Sequence, residues 1–122
     1  MITSLMVGDH PWELFAKKQS ELTLIWDDLV RPYYNTDLVC ETWGRPYMAS
    51  YCPSDGPSCL NVLTINVTAN VSWTHKQDHS KYCISSHRQE GDRVVCFGDQ
   101  NRMESQRNSA GAAICIPSMS LW

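Results

Sequence analysis

The sequence predicts a β-rich (α+β) domain that is small and disulfide-stapled, with one N-terminal helix and short antiparallel strands. The second half of the chain alternates apolar and polar residues in short runs, which is typical of strands. Six cysteines in 122 residues form an even set that favours disulfides. Since 43% of the positions are hydrophobic, we expect a packed fold rather than disorder. The chain is expected to be one extracellular domain over residues 1–122, divided into segments 9–30, 31–59 and 60–117.

The first predicted element is a helix over residues 9–30. Asp9 fits an N-cap, and Pro11 fits the first turn. One helical face would collect the apolar side chains of Phe15, Leu22, Trp26 and Leu29. Pro32 ends the element, because the residue before a proline avoids the helical conformation. The run 22–26 is also compatible with a strand, so the second half of this helix stays open.

Segment 31–59 is rich in aromatic residues, Pro and Gly, and it allows only short strands, around 37–43 and 47–51. Tyr, Trp and Arg are enriched in protein-binding hot spots. The predicted partner-binding residues are Arg31, Tyr33, Tyr34, Trp43, Arg45, Tyr47 and Tyr51. The alternative is that these aromatic side chains fill a small core.

Residues 63–73 alternate strictly between apolar and polar side chains, which predicts one strand with a packed face and a solvated face. Two N-glycosylation sequons begin at Asn66 and Asn70, and both lie on the polar face. Because a glycan cannot be buried, the two observations agree. The sequence therefore predicts N-linked glycans on this strand.

Three further strands are predicted at 81–84, 93–97 and 112–117, each with a cysteine near its middle. Residues 89–92 read as a hairpin turn, because Gly and Asp favour such turns. Residues 98–111 are mostly polar and are predicted to form an exposed loop.

The cysteines predict an oxidising compartment. A framework of three disulfides is expected from Cys40, Cys52, Cys59, Cys83, Cys96 and Cys115. The 15 possible connectivities stay open, and the wide spacing disfavours a zinc site. Together with the sequons, this predicts a secreted or extracellular-surface protein, with a cytosolic protein whose cysteines are free as the alternative. No apolar run is long enough to span a bilayer. Residues 1–10 show no secretory signal, so we expect a piece of a longer precursor.

The leading interpretation of function is a non-enzymatic glycoprotein domain that binds a protein partner. The 10 Lys and Arg residues are outnumbered by 13 Asp and Glu, which argues against a basic footprint for nucleic acid. The sequence contains no nucleophile elbow, zinc-protease motif or Gly-rich phosphate loop. We therefore predict no enzyme, no catalytic residue, no cofactor and no metal.

The alternative interpretation is a small secreted metal-binding protein or enzyme. Four potential ligands recur every four residues, at His75, His79, Cys83 and His87. On a helix they would share a face and could chelate a transition metal. The stretch follows a strand pattern, however, and giving Cys83 to a metal would leave an odd number of cysteines. A polar connection that carries a disulfide cysteine is therefore favoured.

Several motifs occur in a suggestive order: the turn Cys52-Pro53-Ser54, the sequon strand at 63–68, and cysteine strands around Cys83, Cys96 and Cys115. In this order they resemble the surface subunit of betaretrovirus-like retroviral envelope proteins, endogenous ones included. The aromatic region 26–52 would be its upstream part. The resemblance implies a receptor-binding fragment, or a soluble envelope remnant that occupies a cell-surface receptor. It implies no fusion activity, because the sequence has no furin-type site, fusion peptide or heptad region.

Overall fold

Strands dominate the computed structural model, which describes residues 1–46, 48–86, 93–117 and 121. The strands of this described part are β1 Ile2–Val7, β2 His10–Lys17, β3 Leu38–Thr42, β4 Cys59–Asn61, β5 Thr64–Thr68, β6 Val71–Thr74, β7 Lys81–Ser85, β8 Val94–Gly98 and β9 Gly111–Pro117. Seven of them form one sheet in the order β1-β2-β9-β8-β7-β3-β4, and β5 and β6 form a separate hairpin. Strands β3 and β4 pair in parallel, and the other neighbours are antiparallel.

The predicted N-terminal helix over 9–30 is wrong, because its first half is strand β2. Gly8 has a φ of 61°, which a glycine adopts easily, and it turns the chain from β1 into β2. Strand β2 then pairs with β1 on one side and β9 on the other. The backbone hydrogen bonds of β2 to both neighbouring strands therefore favour a strand, although four apolar residues have helical spacing. One of these four, Leu22, is exposed.

The helical structure that packs on the large sheet lies at residues 25–34, and a short 3-10 helix follows at Glu104–Asn108. Residues Ile25–Val30 form a π-helical segment that continues into the four-residue helix α1, Arg31–Tyr34. This segment packs its apolar side chains on the large sheet. The resulting core contains Phe15, Ile25, Trp26, Val30, Leu38, Cys40, Cys59, Cys83, Val94, Cys96, Ala113 and Cys115. The N-cap and Pro signals of the predicted helix were wrong, because Asp9 lies in the β1–β2 turn and Pro11 in β2. Only Trp26 and Leu29 of its apolar face lie in the helical segment.

The later strands largely follow the sequence pattern. The predictions at 81–84, 93–97 and 112–117 are confirmed as β7, β8 and β9. The strand expected around 37–43 is confirmed as β3, whereas around 47–51 the described residues contribute only a bridge between Tyr51 and Cys59. Tyr47 and the turn predicted at 89–92 lie outside the described residues.

The alternating stretch 63–73 forms a hairpin rather than one strand. The chain turns at Ala69 and Asn70, and Ile65 lies opposite Trp73. The apolar face is not packed as predicted, since Leu63, Val67 and Val71 are exposed. Alternation fixes which side chains share a face, but it does not require a long straight strand.

Two disulfides form among the described cysteines, where three were predicted. Cys40 bonds Cys83 across β3 and β7, and Cys96 bonds Cys115 across β8 and β9. Cys52 and Cys59 are free. Strand pairing selects the bonded partners, because each pair sits at directly opposed positions in the sheet.

The two free thiols should differ in reactivity. Cys52 is exposed, whereas Cys59 is buried and burial raises the pKa of its thiol to about 12. Alkylation of the native protein, followed by peptide mass spectrometry, is expected to label Cys52 alone, because a buried neutral thiol is a poor nucleophile. Unfolding without reduction should expose Cys59 as well. Labelling of Cys40 or Cys96 before reduction would contradict the observed pairing.

Residues 98–111 form the predicted exposed loop only in part, since Glu104, Ser105, Asn108 and Ala110 are exposed. Gln100, Asn101 and Arg102 are buried, and residues Glu104–Asn108 form a 3-10 helix. The guanidinium of Arg102 makes a bidentate contact with Asp27, at 2.9 Å and 2.7 Å. The polar residues 100–102 are therefore internal, because the ion pair between Arg102 and Asp27 anchors them to the π-helical segment.

Candidate active site around His79

An exposed histidine lies against a tryptophan at one end of strands β3 and β7. The rings of His79 and Trp43 are stacked, with centroids 5.0 Å apart and planes at 26°. The Trp43 indole is held in turn, because its Nε1 donates to the carbonyl oxygen of Lys76 at 3.2 Å. His79 therefore presents an imidazole to solvent in a restricted orientation.

A cationic pocket adjoins this ring stack. The open pocket has a volume of about 470 Å³ and is lined by Gly44, Arg45, Pro46 and Lys76. Two of the lining residues carry positive charge, and Lys76 also holds Trp43 through the hydrogen bond described above. A pocket of this size and charge suits an anionic group of a ligand.

Lys81 adds an ammonium group beside His79. It opens strand β7 opposite Thr42 of β3, and its Nζ donates to the carbonyl oxygen of His79 at 2.7 Å. The spacing His79-Ser80-Lys81 thus brings an imidazole and a lysine cation to the same end of the strand.

Asp78 organises the turn that precedes β7. Its Oδ1 accepts hydrogen bonds from the Ser80 amide at 2.8 Å and from the Ser80 hydroxyl at 2.5 Å. Its Oδ2 accepts from the Trp73 indole at 2.8 Å. These hydrogen bonds hold the pKa of Asp78 below its usual value, chiefly through Ser80, so this carboxyl is an anion at neutral pH.

Glu41 lies on β3, opposite Tyr82 of β7, and is only 1% exposed. Neither of its carboxyl oxygens has a hydrogen-bond partner among the described residues. Burial, with a smaller contribution from Asp78, raises the pKa of Glu41 to about 7. Their environments therefore move the pKa values of the two carboxyls apart. Asp78 is ionised, whereas Glu41 can hold a proton near neutral pH, a pattern found in acid–base sites.

The chemistry that this arrangement allows is reaction at an anionic group such as a phosphate. The cationic side chains can neutralise the negative charge of the phosphate oxygens, and the imidazole can act as a base or as a nucleophile.

The metal alternative for residues 75–87 finds no support in the described part of the chain. That part contains no group of three or more His, Cys, Asp or Glu residues placed to hold a metal ion. Cys83 is bonded to Cys40, and His87 lies outside the described residues. The spacing of four assumed a helix, whereas Cys83 lies in strand β7.

The predicted partner-binding residues fall into separate groups. Arg31 covers the ring of the exposed Tyr51 at 4.8 Å. Tyr33 and Tyr34 pack against Phe15. The remaining described members, Trp43 and Arg45, belong to the His79 site, and Tyr47 lies outside the described residues. A single binding surface over 31–51 stays a prediction.

Sequence reasoning did not single out Glu41, Asp78 or Lys81, which the structure places at the candidate site. It considered His79 only as a metal ligand at intervals of four. The available signal was local: Asp78, His79 and Lys81 concentrate three ionisable side chains within four residues at the start of a predicted strand. For Glu41 the only hint was a charge within a strand pattern.

Comparison with known proteins gives a consistent result. A model of the deoxyribonuclease II family matches residues 2–122. The chain is similar to deoxyribonuclease-2 of Caenorhabditis elegans, with 37% identity over 111 residues, which is 88% of this chain and 28% of that protein. It is also similar to deoxyribonuclease-2-beta of Homo sapiens, with 32% identity over 112 residues, or 88% of this chain and 30% of that protein. The chain spans about a third of the length of the curated relatives it matches.

These similarities correct the functional interpretation. The resemblance to a retroviral envelope subunit was wrong, and so was the receptor-binding function drawn from it. The prediction of no enzyme and the exclusion of nucleic acid were also wrong, since the relatives are named deoxyribonucleases. The error has a physical cause: net charge averages over the whole surface, whereas a phosphate site needs cations only locally.

The prediction of an oxidising compartment agrees with the structure. The two disulfides among the described cysteines agree with the oxidising compartment that the sequence predicted. Within the described residues, no helix is long and apolar enough to cross a membrane.

Proposed function

Because this chain belongs to the deoxyribonuclease II family, we propose that it supplies part of the active site of an enzyme that cleaves phosphodiester bonds in DNA. One observation carries the assignment to a particular site. His79 presents a stacked, exposed imidazole next to a pocket lined by Arg45 and Lys76. Imidazole chemistry and phosphate binding thus coincide at one place.

The residues divide the reaction between them. Arg45 and Lys76 bind the phosphate oxygens, and Lys81 adds positive charge from the start of β7. His79 supplies the reacting imidazole, and Trp43 keeps its ring in place. Glu41 is a buried carboxyl that can exchange a proton near neutral pH.

The test replaces His79 by glutamine in the natural polypeptide that carries this chain. We expect cleavage of double-stranded plasmid DNA to fall by about 100-fold or more, because the loss of an acid–base or nucleophilic group removes about that much rate. A matched control is His10→Gln, since His10 is also exposed but lies at the far end of the sheet on β2.

Activity and melting temperature together distinguish a loss of catalysis from a loss of folding. Activity that survives His79→Gln, with an unchanged melting temperature, would remove His79 from the reaction and contradict the proposal. Lys81→Met should also reduce cleavage, because it removes a charge near the phosphate. Equal losses in His79→Gln and His10→Gln would indicate a general effect of the substitution and would likewise count against the site.

The proposal also covers the location of the protein, its domain and its glycans. The chain is part of a secreted or extracellular protein, as one domain over 1–122, with N-linked glycans at Asn66 and Asn70. Both asparagines are exposed on the β5–β6 hairpin, which supports their access to glycosylation. Mass spectrometry of the natural protein before and after enzymatic deglycosylation tests their occupancy.

A further inference from the structure

The β5–β6 hairpin contacts the turn that carries His79 through the side chain of Asp78. The Trp73 indole of β6 donates to Oδ2 of Asp78, while Oδ1 of the same carboxylate holds the backbone and hydroxyl of Ser80. Asp78 and Ser80 flank His79 in the sequence. One carboxylate therefore joins a projecting hairpin to both sides of the reacting residue.

We infer that Asp78 is a positioning residue for His79 and Lys81, and that Trp73 anchors it, so that the β5–β6 hairpin sets the geometry of the site. The inference rests on the proposed function, because it assigns a role within the same reaction. Asp78 acts through its neighbours, since both of its oxygens are occupied by protein donors.

The hydrogen bonds explain how the position is transmitted. The bond from the Ser80 amide closes a tight turn around His79. The carbonyl oxygen of His79 then accepts the Lys81 ammonium. A shift of the turn would move the imidazole and the lysine cation together. Misplacement of a reacting group by about 1 Å can reduce a rate by about 100-fold.

Besides the bond from Trp73, the hairpin is attached to the turn by the Gln77 and Asp78 amides, which donate to the carbonyl oxygen of Thr74 at 2.8 Å and 3.3 Å. Its base is closed by a bond from the His75 amide to the carbonyl oxygen of Leu63, at 3.1 Å, and much of its apolar face is exposed. A two-stranded hairpin is marginally stable by itself. The Trp73–Asp78 bond therefore contributes to the order of both parts, the hairpin and the turn before β7.

The experiment breaks this bond from each side in the natural polypeptide. Trp73→Phe removes the indole donor and keeps a smaller aromatic ring, and Asp78→Asn keeps an oxygen for Ser80 while facing Trp73 with an amide. We expect each variant to reduce kcat for plasmid cleavage by about 10-fold or more, with KM changed less than about 2-fold, because geometry rather than binding is lost. The double variant should be no slower than the slower single variant.

A second measurement does not depend on cleavage. In NMR spectra the Trp73 indole proton should shift in Asp78→Asn, and the His79 ring signals should shift in both single variants. Val71→Ala is the matched control, because it alters an exposed side chain of the same hairpin. It should change neither kcat nor the His79 signals.

Two results would overturn the inference. One is a Trp73→Phe variant with wild-type kcat and unchanged His79 signals. The other is a double variant whose loss is the product of the two single losses. If Asp78→Asn does not fold, Trp73→Phe still decides the question. Failure of the proposed function is distinguishable, since it would show as full activity in His79→Gln, whereas the NMR signals would still report on positioning.

Discussion

Replacement of Arg102 by methionine is expected to destabilise the fold by about 3–5 kcal/mol, because it leaves a buried carboxylate without its partner. The Arg102 side chain is 0% exposed and that of Asp27 is 7% exposed. Arg102 also donates to Asn61, and its backbone amide donates to Thr42 at 3.1 Å. The substitution removes the side-chain bonds to Asp27 and to Asn61 of β4, so it would detach residues 98–111 from the helical segment and from β4 together. The backbone bond to Thr42 is kept. Urea unfolding followed by circular dichroism measures the effect.

A surface arginine provides the control for this prediction. Arg107 pairs with Asp28 and Glu104, but its side chain is 32% exposed. Solvent screens such pairs, so Arg107→Met should change the free energy of unfolding by less than about 1 kcal/mol. If the two variants unfold at the same urea concentration, the buried ion pair is not the anchor that its geometry indicates.

The second large effect concerns Glu41 and pH. Its pKa is about 7 in the folded protein against 4.5 as the reference value, so the folded state holds a proton that the unfolded state has released. Stability from this group is fully present below pH 4.5 and is lost as pH rises towards 7. The loss amounts to about 3 kcal/mol. Glu41→Gln should remove this part of the pH dependence, because a neutral side chain does not titrate.

Thermal melting at pH 5 and pH 8 checks this expectation. The wild-type protein should lose more stability between the two pH values than Glu41→Gln does. Glu21→Gln is the matched control, because Glu21 is exposed and its removal should leave the pH dependence of the wild type. A Glu41→Gln protein with the same pH dependence as the wild type would show that Glu41 is ionised in the fold.

Elements whose signals lie within a few consecutive residues could be predicted from the sequence. Strands β7, β8 and β9 were found because their apolar runs and cysteines lie within a few consecutive residues. The helix was predicted in the wrong place because the spacing of apolar residues did not distinguish a helix from strand β2. The inward face of that strand also carries a lysine. Lys17 is buried, and its ammonium is satisfied by the carbonyl oxygens of Gln106 and Arg107. These partners are distant in the chain, so no local pattern reveals them.

The candidate site shows the same limit. His79 was noticed for its chemistry, but its role depends on Trp43, which lies 36 positions earlier and stacks on its ring. Glu41 and Asp78 influence each other across β3 and the turn before β7. Sequence alone could list the ionisable residues, but it could not show which of them share a pocket.

By itself the sequence determined a β-rich chain, with cysteine-bearing strands and a sequon-bearing alternating segment. These properties follow from neighbouring residues, because side-chain alternation and turn chemistry act over a few positions. The tertiary structure decided which cysteines are bonded, which polar residues are buried and which ring stacks on His79. Each of these depends on strand pairing between distant segments, and the burial that shifts the pKa of Glu41 exists only once those strands have met.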